Sequence, residues 1–297
     1  MNDTVRNLFE SPHVHTKNKS SVLERLEAMS RDGPQKFQVV ADFDMTLTKY
    51  YVNGGRGCTC HAIAEDAGEL PPSFTTEAHA IRDTYYPIEI SPNYTHDEKV
   101  QYMIEWWSKA HDLLIKYDMR EHLIPKMVQN VPIVLRDGHQ WMLDTLLAHK
   151  IPTLVFSAGL SNMIVEVFKQ KAALHENIRV ISNDMIFKDD KLCGFSKPLI
   201  HSFNKGCVAE HHQSVFDEVK GRTNLLLLGD STGDPHMVKG FPDTHTCIKI
   251  GFLNYREEEL MECYLDLYDI VLTGDGSLYP ANVLLATVLG TTAPPTL

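Results

Sequence analysis

The stretch Phe-Gln-Val-Val-Ala-Asp-Phe-Asp-Met-Thr-Leu-Thr at residues 37–48 decides the fold that the sequence predicts. Its first five residues form a short, largely apolar run of the kind that becomes a buried strand, and Asp42 and Asp44 follow at and just after its end. Two carboxylates that are two residues apart in an extended chain project to the same side. This spacing suits one nucleophile and one general acid/base, although a pair of solvated loop acids would give the same pattern.

Downstream of Asp137, short apolar strands alternate with amphipathic helices. Helices are predicted over 141–149 and 162–172, and a small hairpin over 185–193. Because such alternation is typical of parallel sheets with helices on both faces, we predict an α/β fold with a doubly wound parallel sheet. The later strands are predicted at 152–156, 178–182, 224–228, 246–250 and 269–272.

The segment between residues 52 and 130 has a different texture, with glycines, prolines and helical periodicity but few β-branched runs. A long helix is predicted over 95–117. We therefore expect a mainly helical cap over 52–130, inserted after the first strand of an α/β core that comprises 19–51 and 131–290. Residues 1–18 and 291–297 are expected to be flexible termini.

In open α/β sheets, ligands bind beyond the carboxyl ends of the strands, so the residues that follow each strand carry the functional prediction. Ser157, Ala158 and Gly159 follow the second strand just before a helix, where a hydroxyl and free backbone N–H groups form an anion site. A simple N-cap serine is the alternative. Lys205 precedes a later helix, and a lone lysine there indicates no more than a surface residue, with Lys197 as a nearby competitor.

Asp230 and Asp234 follow the fourth strand, within the sequence Gly-Asp-Ser-Thr-Gly-Asp. Two acids at this place suit a Mg²⁺ ion, which prefers hard oxygen ligands, although Asp234 equally suits the cap of the next helix. Each of these signals is weak alone. Together, a carboxylate nucleophile, a hydroxyl, a lysine and metal-binding acids, each after a strand, form a complete set for phosphoryl transfer through an aspartyl-phosphate.

The charge balance excludes several classes of partner. Lys and Arg number 28 against 39 Asp and Glu, which gives a net charge of −11. Nucleic acid polymers and anionic membranes require a cationic face, so we expect neither as a partner. No apolar run approaches the ~18 residues of a membrane helix, the N-terminus holds no apolar signal segment, and six cysteines suit a reducing compartment. We therefore expect a cytoplasmic protein.

The cluster Cys58-Thr59-Cys60-His61 invites comparison with metal sites. Zinc or haem attachment calls for Cys-x-x-Cys spacing, and zinc also calls for a second ligand pair. The spacing here is Cys-x-Cys and no partner pair is evident in the sequence. Cysteines in a loop near the surface are the better interpretation.

The motifs together resemble those of the haloacid dehalogenase superfamily of phosphohydrolases. The second acid, Asp44, is typical of its phosphatase branch, because the dehalogenases and P-type ATPases lack an acid at that place. The insertion at 52–130 matches the position of a C1-type cap. The four motifs of the superfamily match, in order, Asp42-x-Asp44-x-Thr46, Ser157, Lys205, and Asp230 with Asp234.

Longer strings narrow the resemblance to the cytosolic 5′-nucleotidase III family, whose members act on pyrimidine or 7-methylguanosine monophosphates. The string Phe-Asn-Lys at 203–205 favours Lys205 over Lys197 as the motif lysine. The region 58–61 departs from the family's Cys-Pro-x-Cys-His pattern, and 62–84 and 116–135 match poorly. The matching strings stand at 42–48, 85–90, 105–111, 156–159, 199–205, 228–234 and 249–254.

The resemblance implies a Mg²⁺-dependent 5′-nucleotidase that hydrolyses nucleoside 5′-monophosphates through an aspartyl-phosphate. Asp42 would attack phosphorus, and Asp44 would protonate the leaving oxygen and then activate water. Mg²⁺ would bind the Asp42 carboxylate, the main-chain oxygen of Asp44 and Asp230. The phosphate would be held by Ser157, the Ala158 N–H and Lys205, with Thr46, Gly159 and Asp234 in support.

Recognition of the base is expected from the cap. By resemblance, Glu89 accepts hydrogen bonds from the N–H donors of the base. Trp107 and Ala110 are three residues apart and share a helix face, so Trp107 would stack on the base while Ala110 leaves room beside it. A tryptophan buried in the core is the alternative. An indole face favours a cation, and this favours the positively charged 7-methylguanine alongside CMP and UMP as substrates.

Two rival functions use the same residues. Another cap-bearing phosphatase of the superfamily, such as a phosphoserine phosphatase, shares every core residue, so only the strings in the cap argue against it. An inactive phosphate-binding scaffold is disfavoured by the intact set of motif residues. The same intermediate can also transfer its phosphoryl group to a nucleoside in place of water. We expect the protein to be a monomer.

Overall fold

The computed structural model describes residues 3–91, 93–207 and 212–294. The strands, in chain order, are β1 (Val14–His15), β2 (Phe37–Ala41), β3 (Tyr51–Val52), β4 (Gly55–Arg56), β5 (Thr153–Leu160), β6 (Ile178–Asn183), β7 (Met185–Lys188), β8 (Lys191–Phe195), β9 (Asn224–Gly229), β10 (Thr246–Phe252) and β11 (Ile270–Leu272). Seven of them form one sheet in the order β1-β11-β10-β9-β2-β5-β6. All neighbours in this sheet are parallel except β1, which runs antiparallel to β11.

Helices cover both faces of this sheet. Alternate residues of β2 show this. Val39 packs into one apolar cluster with the helices Lys19–Asp32, Ser161–Lys171 and Tyr279–Leu289, whereas Val40 packs into another with the helices Gln213–Glu218 and Glu257–Leu267. The doubly wound parallel sheet predicted from the sequence is therefore confirmed. The helices are α1 (Asp3–Leu8), α2 (Lys19–Asp32), α3 (Cys60–Asp66), α4 (Pro72–Ile90), α5 (His96–Lys116), α6 (Ile124–Asn130), α7 (His139–Ala148), α8 (Ser161–Lys171), α9 (Gln213–Glu218), α10 (Glu257–Leu267) and α11 (Tyr279–Leu289).

Strand β2 lies in the middle of the sheet, between β5 and β9. All five of its residues are buried, as expected of a strand covered on both faces. Its parallel neighbours have the same direction, so their carboxyl ends meet at one edge of the sheet. The chain leaves β2 at Asp42, which places this residue at the centre of that edge, where strand order reverses and ligands of such sheets bind.

Helices α3 to α6 occupy the segment 52–130, together with the small hairpin of β3 and β4. The predicted long helix is present as α5, which begins with a capping box between Thr95 and Glu98. Helix α5 also meets the core hairpin of β7 and β8, where the ring of His111 stacks on Phe195 with centroids 3.7 Å apart. None of the helices within the described ranges has the length and apolar character needed to cross a membrane.

The N-terminus differs from the expectation of a flexible segment at 1–18. Val5 and Leu8 of α1 are buried, and Val14 of β1 pairs with Leu272 of β11. These apolar residues are too few and too scattered to form a periodic signal, so ordered packing could not be predicted there. At the other end, α11 stops at Leu289 and part of the tail 291–297 lies outside the described residues.

Candidate active site

The carboxylates of Asp42 and Asp44 lie beyond the end of β2. The Asp42 N–H donates to the Leu228 carbonyl of β9 at 3.0 Å, which continues the sheet by one residue and fixes the start of the loop. Asp44 is held from the segment 52–130, since the backbone N–H of Cys60 donates to its Oδ1 at 2.9 Å. Burial raises the pKa of Asp44 to about 6, a value that suits both giving and taking a proton near neutral pH.

A buried arginine shapes the loop between these acids and Thr48. Arg136 has no exposed surface, and its guanidinium donates to the carbonyl oxygens of Met45 and Thr46 at 2.6 and 2.8 Å. It also pairs with Asp275 at 2.8 Å, which compensates its charge in the interior. Met45 itself is in the left-handed region with a φ of 62°, so the turn needs this external support. Sequence reasoning missed Arg136, since no local pattern marks it.

Lys205 joins two of the predicted acids. Its ammonium donates to Asp42 Oδ1 at 2.5 Å and to Asp234 Oδ1 at 2.7 Å, and all three side chains are buried. The other oxygen of Asp234 accepts the backbone N–H groups of Asp230 and Ser231 at 3.0 and 2.9 Å. Asp234 therefore orients both the lysine and the loop after β9, rather than capping a helix through its side chain.

Three carboxylates converge here. Oxygen atoms of Asp42, Asp230 and Asp234 lie within 4.8 Å of one another. Burial raises the pKa of Asp42 to about 7 and that of Asp230 well above its usual range, and the neighbouring carboxylates add to both shifts. One lysine does not balance the charge of three clustered acids, two of which are buried. The excess of negative charge and the all-oxygen donor set fit a hard divalent cation.

The hydroxyl of Thr46 supports the same cluster, at 3.3 Å from Asp230 Oδ1 and 3.4 Å from Asp42 Oδ2. Tyr264 of α10 and Tyr268, the residue that follows the end of this helix, hold the loop from the other side. The Tyr264 hydroxyl donates to the Asp230 carbonyl and the Tyr268 hydroxyl to the Ser231 carbonyl, each at 2.5 Å. Their spacing of four residues is a visible helical signal, but it indicates only a shared face and not this contact.

The predicted anion site adjoins the acids. Ser157 is buried, lies within the extended end of β5, and accepts the Gly159 N–H at 3.0 Å. A side chain at Gly159 would be 2.8 Å from Cys60 Cβ and 3.3 Å from Asp44 Oδ2, so only glycine allows this close approach. The Ala158 carbonyl accepts hydrogen bonds from the Asn183 side chain at 2.9 Å and from the indole N–H of Trp107.

The cap residues proposed for base recognition touch the core beside this site. Trp107 is 8% exposed, and its indole N–H donates to the Ala158 carbonyl at 2.8 Å. Glu89 Oε1 accepts the Ser202 hydroxyl at 2.5 Å. Ala110 is half-buried on the same helix as Trp107. The burial of Trp107 agrees with the alternative interpretation, in which this tryptophan packs in the core. Its hydrogen bond also places the indole next to Ala158, beside the predicted phosphate site.

The expectation of surface cysteines is wrong. Cys58 and Cys60 are 6% and 0% exposed. They are buried because Thr59 caps α3 by accepting the Ala62 N–H, which turns the helix start into the interior. The contribution of Cys60 is its backbone N–H to Asp44. Among the described residues, the only metal-like cluster is that of the three aspartates. Lys197, the competitor of Lys205, is exposed.

Comparisons with known proteins identify the family to which the chain is similar. The family model of pyrimidine 5′-nucleotidase (UMPH-1) matches residues 45–289. The 7-methylguanosine phosphate-specific 5′-nucleotidases of Rattus norvegicus and Homo sapiens are each 39% identical over 269 residues, or 90% of this chain and 90% of each relative. A crystal structure of cytosolic 5′-nucleotidase IIIB bound to cytidine superposes with a TM-score of 0.88 at 35% identity, covering 96% of both chains.

The resemblance drawn from the motifs is confirmed by these matches. They include both the core and the segment 52–130, so they are not limited to the motifs that all phosphatases of the superfamily share. The chain belongs to the pyrimidine 5′-nucleotidase (UMPH-1) family, a family of phosphoric monoester hydrolases within the haloacid dehalogenase fold.

Proposed function

We propose that this chain is a Mg²⁺-dependent 5′-nucleotidase that hydrolyses 7-methylguanosine monophosphate and the pyrimidine nucleotides CMP and UMP. The observation that carries the proposal is the buried contact of Lys205 with Asp42 and Asp234, beside Asp44 and Asp230. The names of the relatives supply the substrate class.

Asp42 acts as the nucleophile. One of its carboxylate oxygens forms a bond to phosphorus, and the bond between phosphorus and the 5′-oxygen breaks. Asp44 gives its proton to that leaving oxygen, so the nucleoside departs neutral. Asp44 then takes a proton from water, whose oxygen attacks phosphorus and releases phosphate from Asp42. The second half restores both carboxyl groups to their starting states.

Preorganised donors hold the phosphate during both steps. Lys205, the Ser157 hydroxyl and the Ala158 N–H are assigned to its oxygens, where they stabilise the charge of the transition state. Gly159 keeps this place narrow, and Thr46 and Asp234 keep the acids and the lysine oriented. Asp42, Asp230 and the main-chain oxygen of Asp44 would hold Mg²⁺. When bound, the ion supplies Lewis-acid polarisation of the phosphate and neutralises charge.

Base recognition is assigned to the cap. Glu89 accepts hydrogen bonds from amino or ring N–H groups, and Trp107 offers a ring surface next to Ala158, with Ala110 leaving space on the same helix.

We further propose that residues 52–130 form the cap and that the protein is a monomer located in the cytoplasm. It binds neither nucleic acid polymers nor membranes, and a nucleoside can replace water as the acceptor of the phosphoryl group. The relative described as cytosolic supports the location.

A substrate panel tests the proposal. We expect kcat/KM for CMP, UMP and 7-methylguanosine monophosphate to exceed that for phosphoserine by at least about 100-fold, because a site with a base acceptor rejects a substrate that lacks a base. EDTA should abolish turnover and added Mg²⁺ should restore it. Asp42→Asn serves as the inactive control. A preference for phosphoserine, or turnover that survives both EDTA and Asp42→Asn, contradicts the proposal.

A further inference from the structure

Ser202 lies where the cap meets the loop that leads to Lys205. Its hydroxyl donates to Glu89 Oε1 at 2.5 Å, across the boundary between α4 and the core. Both side chains are partly buried. Glu89 Oε2 has no hydrogen bond among those recorded for the described residues. The contact therefore engages one oxygen of this carboxylate and leaves the other available.

The residue that follows is also held by the cap. The ring of Phe203 packs edge-on against His96, with centroids 5.7 Å apart, and the ammonium of Lys99 lies 5.6 Å from its centroid. Lys99 in turn donates to the backbone carbonyl of Glu89 at 2.8 Å. The end of α4 and the start of α5 thus contact this loop together. Glu89 binds the hydroxyl of Ser202, and His96 and Lys99 pack against the ring of Phe203.

The same loop also packs against the loop after β9, which carries Asp230 and Asp234. A side chain at Gly233 would collide with the Ser202 carbonyl oxygen, so the two backbones are in direct contact. Asn204 makes the loop rigid by donating to the Leu199 carbonyl at 2.8 Å and accepting the His201 N–H at 2.8 Å. Lys205 follows directly, and its ammonium reaches Asp42.

The positive charges around Glu89 favour the ionised form of its carboxylate, against the larger effect of burial. Burial raises the pKa of Glu89, and the Ser202 hydrogen bond opposes this shift, as do the positive charges of Arg56, Lys99 and Lys205. A hydrogen bond to an ionised carboxylate is among the stronger neutral–charged contacts in a protein. The hydroxyl of Ser202 therefore does more than fill space beside Glu89.

We propose that Ser202 is a positioning residue for base selection, which engages Oε1 of Glu89 so that Oε2 faces nucleobases carrying amino or ring N–H donors. Because Ser202 shares a rigid loop with Lys205, it also fixes the distance between the base acceptor and the phosphate site. The inference rests on the proposed function, in which Glu89 reads the base. Ser202 belongs to the core, whereas the other residues assigned to base recognition belong to the cap.

The test compares Ser202→Ala with Ser202→Thr, which keeps the hydroxyl, and with Ser73→Ala, which removes an exposed hydroxyl from α4. The substrates are CMP, 7-methylguanosine monophosphate and ribose 5-phosphate, which has the phosphate and sugar but no base. We expect Ser202→Ala to lower the ratio of nucleotide to ribose 5-phosphate kcat/KM about tenfold, through KM rather than kcat. Ser202→Thr and Ser73→Ala should keep the wild-type ratio.

A double-mutant cycle with Glu89→Gln completes the test. If Ser202 acts through Glu89, the change in the ratio that Ser202→Ala causes should vanish when Glu89 is already replaced. Equal losses on nucleotides and ribose 5-phosphate in Ser202→Ala would overturn the inference, because they assign Ser202 a purely structural role for Lys205. A wild-type enzyme that does not prefer nucleotides over ribose 5-phosphate overturns the proposed function itself, and the inference with it.

Discussion

The backbone N–H of Cys60, the first residue of helix α3, donates to Oδ1 of Asp44 at 2.9 Å. The proposed acid/base of the core is therefore held by the beginning of the segment 52–130. The orientation of the Asp44 carboxylate therefore depends on a contact from this segment. The contact also lowers the pKa of Asp44, against the larger rise caused by burial.

Replacing Asp44 separates the two halves of the proposed reaction. With p-nitrophenyl phosphate, whose leaving group needs no proton, Asp44→Asn should still form the aspartyl-phosphate but hydrolyse it about 100-fold more slowly or worse. We expect a burst of p-nitrophenol close to one per active site. Asp112→Asn, an exposed acid of α5, is the control. Steady-state turnover at the wild-type rate would refute the assignment.

Lys205 should be required for activity, whereas Lys197, the other lysine considered for the motif, should not. Lys205→Met removes the cation between two buried acids, and we expect kcat/KM to fall at least about 100-fold. The unfolding free energy at neutral pH should drop by about 3 kcal/mol or more, since Asp42 and Asp234 lose their partner. Lys197→Met, an exposed lysine, should change neither quantity. Kinetics and urea unfolding measure both, and equal effects of the two substitutions would contradict the assignment.

Trp107 should set the balance between substrates. If its indole stacks on the base, Trp107→Tyr weakens turnover of 7-methylguanosine monophosphate more than turnover of CMP, because the smaller ring binds the charged base less well. The measurement is kcat/KM for both nucleotides, with Trp106→Tyr as the neighbouring control. Equal losses on the two substrates would leave Trp107 as a packing residue that holds Ala158 through its 2.8 Å hydrogen bond.

Arg136 should govern the stability of the loop that carries Asp42 and Asp44. Arg136→Lys keeps the charge but loses the planar fork that reaches Met45, Thr46 and Asp275 at once. We expect urea unfolding to show a loss of about 3–5 kcal/mol, together with a lower kcat. Arg31→Lys, at an exposed position of α2, is the control. A loss below about 1 kcal/mol would show that the loop does not depend on this hub.

Two stacked histidines in the segment 52–130 should make the fold sensitive to acid. Burial lowers the pKa of His61 to about 4 and that of His111 to about 3, and their mutual repulsion and Lys197 add to the shift of His111. Above the unfolded value of 6.5 both states are neutral and pH has no effect through them. Below it, the unfolded chain takes up protons first, so the unfolding free energy falls as pH drops from about 6.5 toward about 4.

His111→Phe tests this dependence, because an apolar ring keeps the stack on Phe195 but cannot be protonated. Between about pH 7 and about pH 4.5, the variant should lose about 2 kcal/mol less stability than the wild type. His245→Gln, an exposed histidine, should follow the wild-type curve. Parallel curves for all three proteins in urea unfolding would refute the prediction.

Residues that follow strands were predictable, and residues that act through long-range contacts were not. Asp42 and Asp230 stand at the ends of apolar runs, where the physics of parallel sheets places ligand-binding groups. Lys205 was identified only by its family string, because nothing local shows that it reaches Asp42, 163 positions away. Arg136 and Ser202 have no local signal at all, since their roles come from backbone carbonyls and a carboxylate brought close by folding.

The N-terminal strand has a consequence for the molecule as a whole. Strand β1 pairs with β11, whose other neighbour is β10, so this short segment covers one edge of the central sheet. Removing residues 1–15 would take away the strand that pairs with Val271 and Leu272 on that side. An uncovered strand edge is a template for pairing with another chain. Variants truncated past Val14 should therefore aggregate at concentrations where the full chain stays dispersed, although the residues of the proposed active site are untouched.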